Sequence, residues 1–330
     1  MSLKFEKNAR VCFVGDSITA NGTFMGKIFD YYTTKYPELN VRMYNCGVPG
    51  DSATGCLPRL EDTVYRYNPT EIVLMFGMND CRRFNFGLED KIEAMRIASD
   101  ARHKHFASMI KLCRDFREKG LPVTLCSATP YDEISDMECE NFKGCNGELR
   151  HYFMTDKYIL QGLGFSFKNI IDLNTPMTRL LCELKAMGAQ SFIGPDRVHP
   201  TAYGHEVIAR IFLASQGFNV EVPSAYEIAV KKPFFPDFSK ENSARKGSEG
   251  VLTMLGFVDW NLSWNGDKFS MTVEQRCEHW NNRYEEMSQR GGIYKNSVDL
   301  YLTEKKNEKN WVSKYTRETE KYFEAMTKNI

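Results

Sequence analysis

Five short apolar runs recur along the first two-thirds of the chain, each with the length and the β-branched or aromatic content of a strand. They lie at residues 11–14, 41–45, 72–76, 123–126 and 170–173. The longer stretches around them have helical spacing, most clearly at residues 24–36, 91–119 and 202–215. Strands that alternate with helices in this way predict an α/β fold, a three-layer α/β/α sandwich around a parallel sheet of about five strands.

The pattern changes after residue 217. Residues 218–250 combine prolines, lysines and Ser/Gly positions without a clear period, which is typical of a connector. Residues 251–330 show polar helical patterns and contain all four tryptophans: Trp260, Trp264, Trp280 and Trp311. We therefore predict a first domain at 1–217, a connector at 218–250 and a mostly helical, Trp-rich C-terminal extension at 251–330.

The role of this extension stays open at the sequence level. Its aromatic side chains could stack on sugar rings, cover the mouth of a site, or form the contact face of a homo-oligomer. Packing against the first domain is the favoured interpretation, because large aromatics at helical spacing usually pack.

Charge and apolar content exclude several classes of protein. The chain has 43 basic and 43 acidic residues, which argues against nucleic acid as a partner. Its longest fully apolar run, residues 72–76, is far below the roughly 18 residues of a membrane span. The first residues lack the apolar segment of a secretion signal, so a cytoplasmic protein is expected. Ten cysteines are too few for a disulfide scaffold, and we expect them to be reduced.

Polar turns follow the predicted strands, and ligands of an open parallel sheet bind at the carboxyl ends of its strands. One such edge would hold the parts of a serine hydrolase. Ser17 lies on a glycine-containing turn, His199 is a base that changes charge near neutral pH, and Asp196 could orient that imidazole. The backbone N–H of Gly47 and the side-chain NH2 of Asn79 could join the Ser17 amide as oxyanion donors.

These residues belong to four short motifs, which occur in this order: Gly15-Asp16-Ser17, Gly47, Gly77-Met78-Asn79-Asp80 and Asp196-Arg197-Val198-His199. The set resembles the four blocks of the SGNH hydrolase superfamily, also called the GDSL lipase/esterase family, over roughly residues 8 to 217. Ile18 replaces the leucine of the GDSL name, a mild apolar change.

The resemblance implies a flavodoxin-like sheet and carboxylic-ester hydrolysis without a metal or organic cofactor. It implies Ser17 as nucleophile, Asp196 and His199 as its partners, and Ser17, Gly47 and Asn79 as the oxyanion hole. The chain lacks Gly-x-Ser-x-Gly, so the nucleophile elbow of the α/β-hydrolases is not supported.

A near-repeat of the first motif occurs at Gly50-Asp51-Ser52. It follows a Pro-Gly turn rather than a strand, so Ser52 or Asp51 is better interpreted as a helix N-cap than as a nucleophile. For Asp16 and Asp80, local turn hydrogen bonds are the expected role.

Other groups with reactive or charged side chains favour a structural interpretation. In His103-Lys104-His105, helical positions two apart point to different sides, so shared metal ligation is not expected. Cys139, Cys145 and His151 do not match a zinc spacing. Arg82 and Arg83 could clamp an anionic substrate, although exposed arginines are usually only solvated. We predict no metal site.

The predicted function is a serine esterase that hydrolyses small, acetyl-type O-acyl esters through an acyl-enzyme on Ser17. Its partner would be a small-molecule or carbohydrate ester, since the aromatics of the extension favour sugars slightly. The alternatives are a lysophospholipase or acyl-thioesterase, and a non-catalytic binding protein on the same fold.

Overall fold

The structure is a computed structural model that describes residues 2–230. Within these residues, five parallel strands form one sheet with the order β2-β1-β3-β4-β5. The strands are β1 Arg10–Gly15, β2 Arg42–Gly47, β3 Glu71–Met75, β4 Val123–Cys126 and β5 Asn169–Ile171. The parallel sheet of about five strands is confirmed, and its strand order is that of flavodoxin-like folds.

Helices cover both faces of the sheet. They are α1 Ser17–Asn21, α2 Thr23–Lys35, α3 Ala53–Cys56, α4 Leu60–Thr63, α5 Lys91–Glu118, α6 Cys145–Gly162, α7 Asn174–Ala186, α8 Ala202–Ser215 and α9 Ala225–Ala229. Short 3-10 turns lie at Pro37–Leu39, Leu57–Arg59, Tyr65–Tyr67 and Arg83–Gly87. Helices α2 and α8 pack together, and α5 packs with α3 and α6. The three-layer α/β/α prediction is confirmed.

The two strands at the centre of the sheet are apolar on both faces because helices lie above and below them. Every residue of β3 is buried, as are all residues of β1 after Arg10. Burying a Val, Leu, Ile or Phe side chain contributes about 1.5–3 kcal/mol, so these strands carry much of the stability of the sheet.

A second, smaller apolar cluster lies under the loops at the carboxyl ends of the strands. It contains Met78, Cys81, Ala128, Tyr131, Phe142, Cys145, Leu149, Tyr152 and Val198. Met78 and Val198 are the direct neighbours of Asn79 and His199. The cluster therefore joins two loops that carry candidate site residues.

The packed unit continues beyond residue 217. Phe218, Ala225 and Ile228 are buried in the main core, and α9 packs on α7. The division of the chain at 217 and 250 stays a prediction. The rest of the predicted connector and the Trp-rich extension, residues 231–330, lie outside the described residues. No helix in the described part is long and apolar enough to cross a bilayer.

Candidate active site

Ser17 is placed by a tight turn between β1 and α1. Asp16 caps α1, with its Oδ1 accepting the N–H of Ile18 at 3.0 Å, which confirms the local turn role predicted for this aspartate. Gly15 has no room for a side chain, since a Cβ there would lie 2.2 Å from Thr19 Oγ1. The turn therefore presents Ser17 as the first residue of α1, nearly buried at 6% exposure.

The structure brings Ser17, His199 and Asp196 together in one chain of hydrogen bonds. Ser17 Oγ lies 2.8 Å from His199 Nε2, and His199 Nδ1 contacts Asp196 Oδ2. Asp196 Oδ1 also accepts the backbone N–H groups of Val198 and His199, each at 3.0 Å. With Asp196 ionised and Nδ1 carrying the proton, Nε2 can accept a hydrogen bond from the serine hydroxyl.

Asp196 is held in its ionised form. Burial alone would raise the pKa of its carboxyl, but the hydrogen bond and the charge of His199, with the two backbone N–H groups, lower that pKa to about 2. The side chains of His199 and Asp196 are 26% and 50% exposed, so the imidazole can be reached from solvent. The geometry allows Ser17 to pass a proton to His199.

The loop that carries Asp196 and His199 is closed by its own backbone and anchored by a buried arginine. The N–H of Gly194 donates to the carbonyl of His199 at 2.7 Å, and Ile193 pairs with Pro200. Arg197 has a left-handed φ of 64° and is only 3% exposed. Its guanidinium donates to four carbonyls at 2.9–3.2 Å: those of Asp132, Ser135, Met137 and Cys139. Sequence reasoning missed this anchor, although the arginine lies inside the Asp-x-x-His motif.

Two of the predicted oxyanion donors have hydrogens with no acceptor among the described residues. The N–H of Ser17 has no acceptor among residues 2–230. Asn79 donates through Nδ2 to the carbonyl of Asp51 at 2.8 Å, which uses one of its two amide hydrogens. Asn79 therefore keeps a second hydrogen while its orientation is set by the first.

Gly47 differs from these two donors. Its N–H donates to Asn45 Oδ1 at 2.9 Å, so it would have to share or leave this bond to bind an oxyanion. Close packing is a structural reason for glycine here, since a Cβ would lie 2.3 Å from the nitrogen of Ala20. Gly50, in the same loop, has a left-handed φ of 77° and an N–H with no acceptor in the described part of the chain.

The near-repeat of the serine motif is a helix start. Ser52 is the N-cap of α3 and its Oγ accepts the N–H of Gly55 at 3.2 Å, which confirms the predicted N-cap. Asp51 pairs with Arg59, which is 1% exposed, at 2.7 Å. Arg59 also donates to the carbonyl of Cys46 at 2.8 Å and so holds this loop to the end of β2. This second buried arginine was also missed by sequence reasoning.

Asp80 does more than the local turn role predicted for it. Its Oδ2 accepts the N–H of Gly77 at 3.1 Å within the turn, but its Oδ1 accepts the N–H of Ala53 at 3.0 Å from another loop. His105 Nδ1 lies 3.0 Å from the same Oδ1, and His105 Nε2 lies 2.9 Å from Asp156 Oδ2. A buried charged group therefore lies beneath the turn that carries Asn79.

His103 and His105 face different sides of α5, as predicted: His103 is exposed and His105 is buried. Across residues 2–230, no group of three or more His, Cys, Asp or Glu side chains is arranged to hold a metal ion.

The cysteine and arginine candidates differ in exposure and in the groups that they contact. Cys139 is exposed, whereas Cys145 is buried with its Sγ 3.6 Å from that of Cys81. The described cysteines, nine in all, are free thiols. Arg82 is exposed, and Arg83 stacks on Phe84 with its Cζ 4.5 Å from the ring centroid.

Comparison with known proteins identifies the family. The sequence model of the family described as GDSL-like Lipase/Acylhydrolase matches residues 11–212, more than half of the chain. The chain belongs to the GDSL-like lipase/acylhydrolase family. This membership confirms the resemblance found in the sequence and supports ester hydrolysis as the reaction class of the protein.

Individual proteins similar to this GDSL-family chain include esterases. It is 24% identical to an acetylxylan esterase of Geobacillus stearothermophilus over 66% of this chain and 97% of that protein. A solved structure of an acetylxylan esterase from the same organism matches at a TM-score of 0.51 and 20% identity, over 67% of this chain and 100% of that one, which supports the fold. A gut microbial diltiazem-metabolizing enzyme matches at a TM-score of 0.60 and 28% identity, over 65% of this chain. The match spans about half, 48%, of that longer chain.

Proposed function

We propose that this GDSL-family protein is a serine esterase that removes small, acetyl-type acyl groups from carbohydrate or small-molecule esters. The observation that carries the proposal is the 2.8 Å contact between Ser17 Oγ and His199 Nε2, with Asp196 on the far side of the imidazole. A serine hydroxyl is a weak nucleophile alone, and a neutral imidazole at this distance can take its proton as the bond to carbon forms.

The proposed reaction has two halves. Ser17 attacks the ester carbonyl while His199 takes its proton, and the same proton then passes to the departing alcohol, which leaves an acyl-enzyme. Water attacks this acyl-enzyme with His199 again as base, and the acid is released. Neither half requires a metal or an organic cofactor.

The oxyanion formed in each half needs N–H donors close to Ser17. We assign this role to the Ser17 amide and to the second amide hydrogen of Asn79. The third donor is Gly47, as the sequence predicts; its N–H must leave Asn45 Oδ1 to bind the oxyanion. Each such donor is worth about 100- to 1,000-fold in turnover.

Ser17 and Ser52 form a matched pair for testing the nucleophile, because both begin a helix after a Gly-Asp dipeptide. With p-nitrophenyl acetate as substrate, Ser17→Ala should lower kcat by about 10⁴-fold or more. Ser52→Ala should keep kcat and lose only about 1 kcal/mol of stability with its cap. Equal activity of Ser17→Ala and wild type would remove the proposal.

The acyl group is tested by chain length. The relative that acts on acetylxylan supports a short acyl group on a sugar. Rates on p-nitrophenyl esters should peak at acetyl or propionyl, and acetylated xylo-oligosaccharides should release acetate. A peak near octanoyl, or hydrolysis of lysophospholipids or acyl-thioesters in preference, would favour the long-chain alternatives. No hydrolysis of any ester, together with resistance of Ser17 to a fluorophosphonate probe, would leave the non-catalytic binding protein.

A further inference from the structure

Three charged side chains form a buried row beneath the Asn79 turn. His105, in the middle of α5, lies between Asp80 at 3.0 Å and Asp156 of α6 at 2.9 Å. The exposures of the three residues are 1%, 8% and 4%. The ring of Tyr152 lies over the imidazole, with centroids 4.5 Å apart, and separates it from solvent on that side.

The imidazole of His105 is held in its charged form. Burial alone would lower its pKa, but the two carboxylates outweigh burial and raise the pKa to about 10. Burial of an ion pair rarely adds net stability compared with apolar side chains of similar size. Net stability therefore does not explain these buried ion pairs. A role in positioning a neighbouring part of the site explains them better.

Asp80 is the link from this row to the site. Its two oxygens hold the N–H of Gly77, in the turn that carries Asn79, and the N–H of Ala53, at the start of α3. Asn79 itself donates to the carbonyl of Asp51, two residues before Ala53. One carboxylate thus binds backbone N–H groups close to both ends of the Asn79–Asp51 hydrogen bond. The ion pairs of His105 with Asp80 and Asp156 connect that carboxylate to helices α5 and α6.

We propose that His105 is a positioning residue for the oxyanion hole. By holding Asp80, it keeps the free amide hydrogen of Asn79 aimed at the place where negative charge develops on the ester oxygen. This inference rests on the proposed esterase function and adds a residue whose side chain never touches the substrate.

Two conservative variants separate positioning from general support of the core. The amide nitrogen of asparagine overlies Nδ1 of histidine, and that of glutamine overlies Nε2. His105→Asn therefore keeps a donor towards Asp80, whereas His105→Gln keeps one towards Asp156, and both lose the positive charge. Because a displaced oxyanion donor mainly affects the transition state, His105→Gln should lower kcat by about 10-fold or more with KM within about threefold. His105→Asn should stay within about threefold of wild-type kcat.

A double-mutant cycle shows whether the effect passes through Asn79. Asn79→Ala alone should lower kcat by about 100-fold. In that background His105→Gln should add less than about twofold, because the donor that it misplaces is already gone. A purely structural role for His105 would predict equal losses in the two His105 variants and additive losses in the cycle, and either result would overturn the proposal.

Glu71→Gln is the matched control for losing a buried charge. Glu71 pairs with Lys168 at 2.7 Å, both nearly buried, at the amino end of β3 and so at the opposite edge of the sheet. This variant should lower the melting temperature without changing kcat of the folded enzyme. If neither His105 variant folds, Asp80→Asn carries the test, since it gives up one of the two backbone bonds. Wild-type kcat in Asp80→Asn would overturn the proposal.

The outcome for wild type separates the two proposals. If wild-type protein hydrolyses no ester, the proposed function itself fails. If wild type hydrolyses p-nitrophenyl acetate and loses this activity in Ser17→Ala, but His105→Gln matches wild type, then only the positioning role of His105 fails.

Discussion

Arg197 is expected to hold the loop that carries His199 in place. Its buried guanidinium donates to four carbonyl groups of the segment between residues 132 and 139. The carbonyl of Arg197 in turn accepts the N–H of Asp132 at 2.9 Å. Arg197→Met keeps much of the volume of the side chain and removes all its side-chain donors. The loop that carries the imidazole then keeps the backbone bond to Asp132 but loses the four guanidinium bonds to residues 132–139.

The size of the effect follows from these bonds. A hydrogen bond contributes about 0.5–1.5 kcal/mol net, and four would give about 2–6 kcal/mol. Single substitutions that cost more than about 4–5 kcal/mol are exceptional, and water can replace some of the lost bonds to the carbonyls. We therefore expect the free energy of unfolding to fall by about 2–4 kcal/mol. Misplacing a catalytic group by about 1 Å can cost about 100-fold in rate, so kcat/KM should fall by about 10- to 100-fold.

Urea unfolding gives the stability change, and hydrolysis of p-nitrophenyl acetate gives kcat/KM at a temperature where both proteins are folded. Arg117→Met is the control: Arg117 donates to the carbonyl of Gly164 at 3.4 Å on an exposed surface, and its loss should change stability by less than about 1 kcal/mol. A folded Arg197→Met enzyme with wild-type kcat/KM would refute the idea that this arginine places His199.

Three further predictions concern buried charges and thiols. Burial raises the pKa of Asp16 from 3.8 to about 7, so ionising this carboxyl destabilises the folded protein as pH rises from 4 to 8. Asp16→Asn cannot ionise, so by urea unfolding it should be more stable than wild type by up to about 4 kcal/mol at pH 8, and by less at pH 5. Burial alone would raise the pKa of Glu206, but Lys27, 2.7 Å away, helps to lower it, so Glu206 stabilises the fold above the ordinary carboxyl range and this stability is lost in acid. Glu206→Gln should therefore cost about 3–5 kcal/mol at pH 7 and less at pH 3, and an equal cost at both would contradict this. Among the described cysteines, Cys139 and Cys182 are exposed and should alkylate first in peptide mapping of the native protein, ahead of the buried ones.

The bounds of strands and helices could be predicted where buried residues and N-cap side chains coincide with the hydrophobic pattern of the sequence. The strand at 123–126 and the helix at 202–215 have the predicted bounds, because the first is fully buried and the second begins at Thr201, whose side chain caps the N–H of Gly204. Helices α6 and α7 are not singled out by the pattern, because their N-cap residues, Gly144 and Leu173, make no side-chain cap bond. Side chains from other positions accept their first N–H groups instead, Glu133 for α6 and Ser127 and Asp172 for α7.

The site could be predicted only as far as local motifs reach. Ser17 and His199 stand out because each lies in a short turn motif, and Asp196 and Asn79 have the residue types that the proposed chemistry needs. The support of the site comes from distant positions: the sequence does not indicate that Arg197 meets residues 132–139 or that His105 meets Asp80. The tertiary fold determines which groups a buried charged side chain contacts, so no local sequence pattern identifies those partners.

The contact between Ser17 and His199 joins positions 182 residues apart in the chain. In the proposed mechanism Ser17 is the nucleophile and His199 the base, so the ribosome makes the nucleophile long before the base. A nascent chain that has folded its first strands does not yet contain His199, so hydrolysis by the proposed pair is expected only after the loop before α8 has reached the sheet. Ester hydrolysis by this pair would therefore report folding as far as that loop, which suits it to refolding experiments.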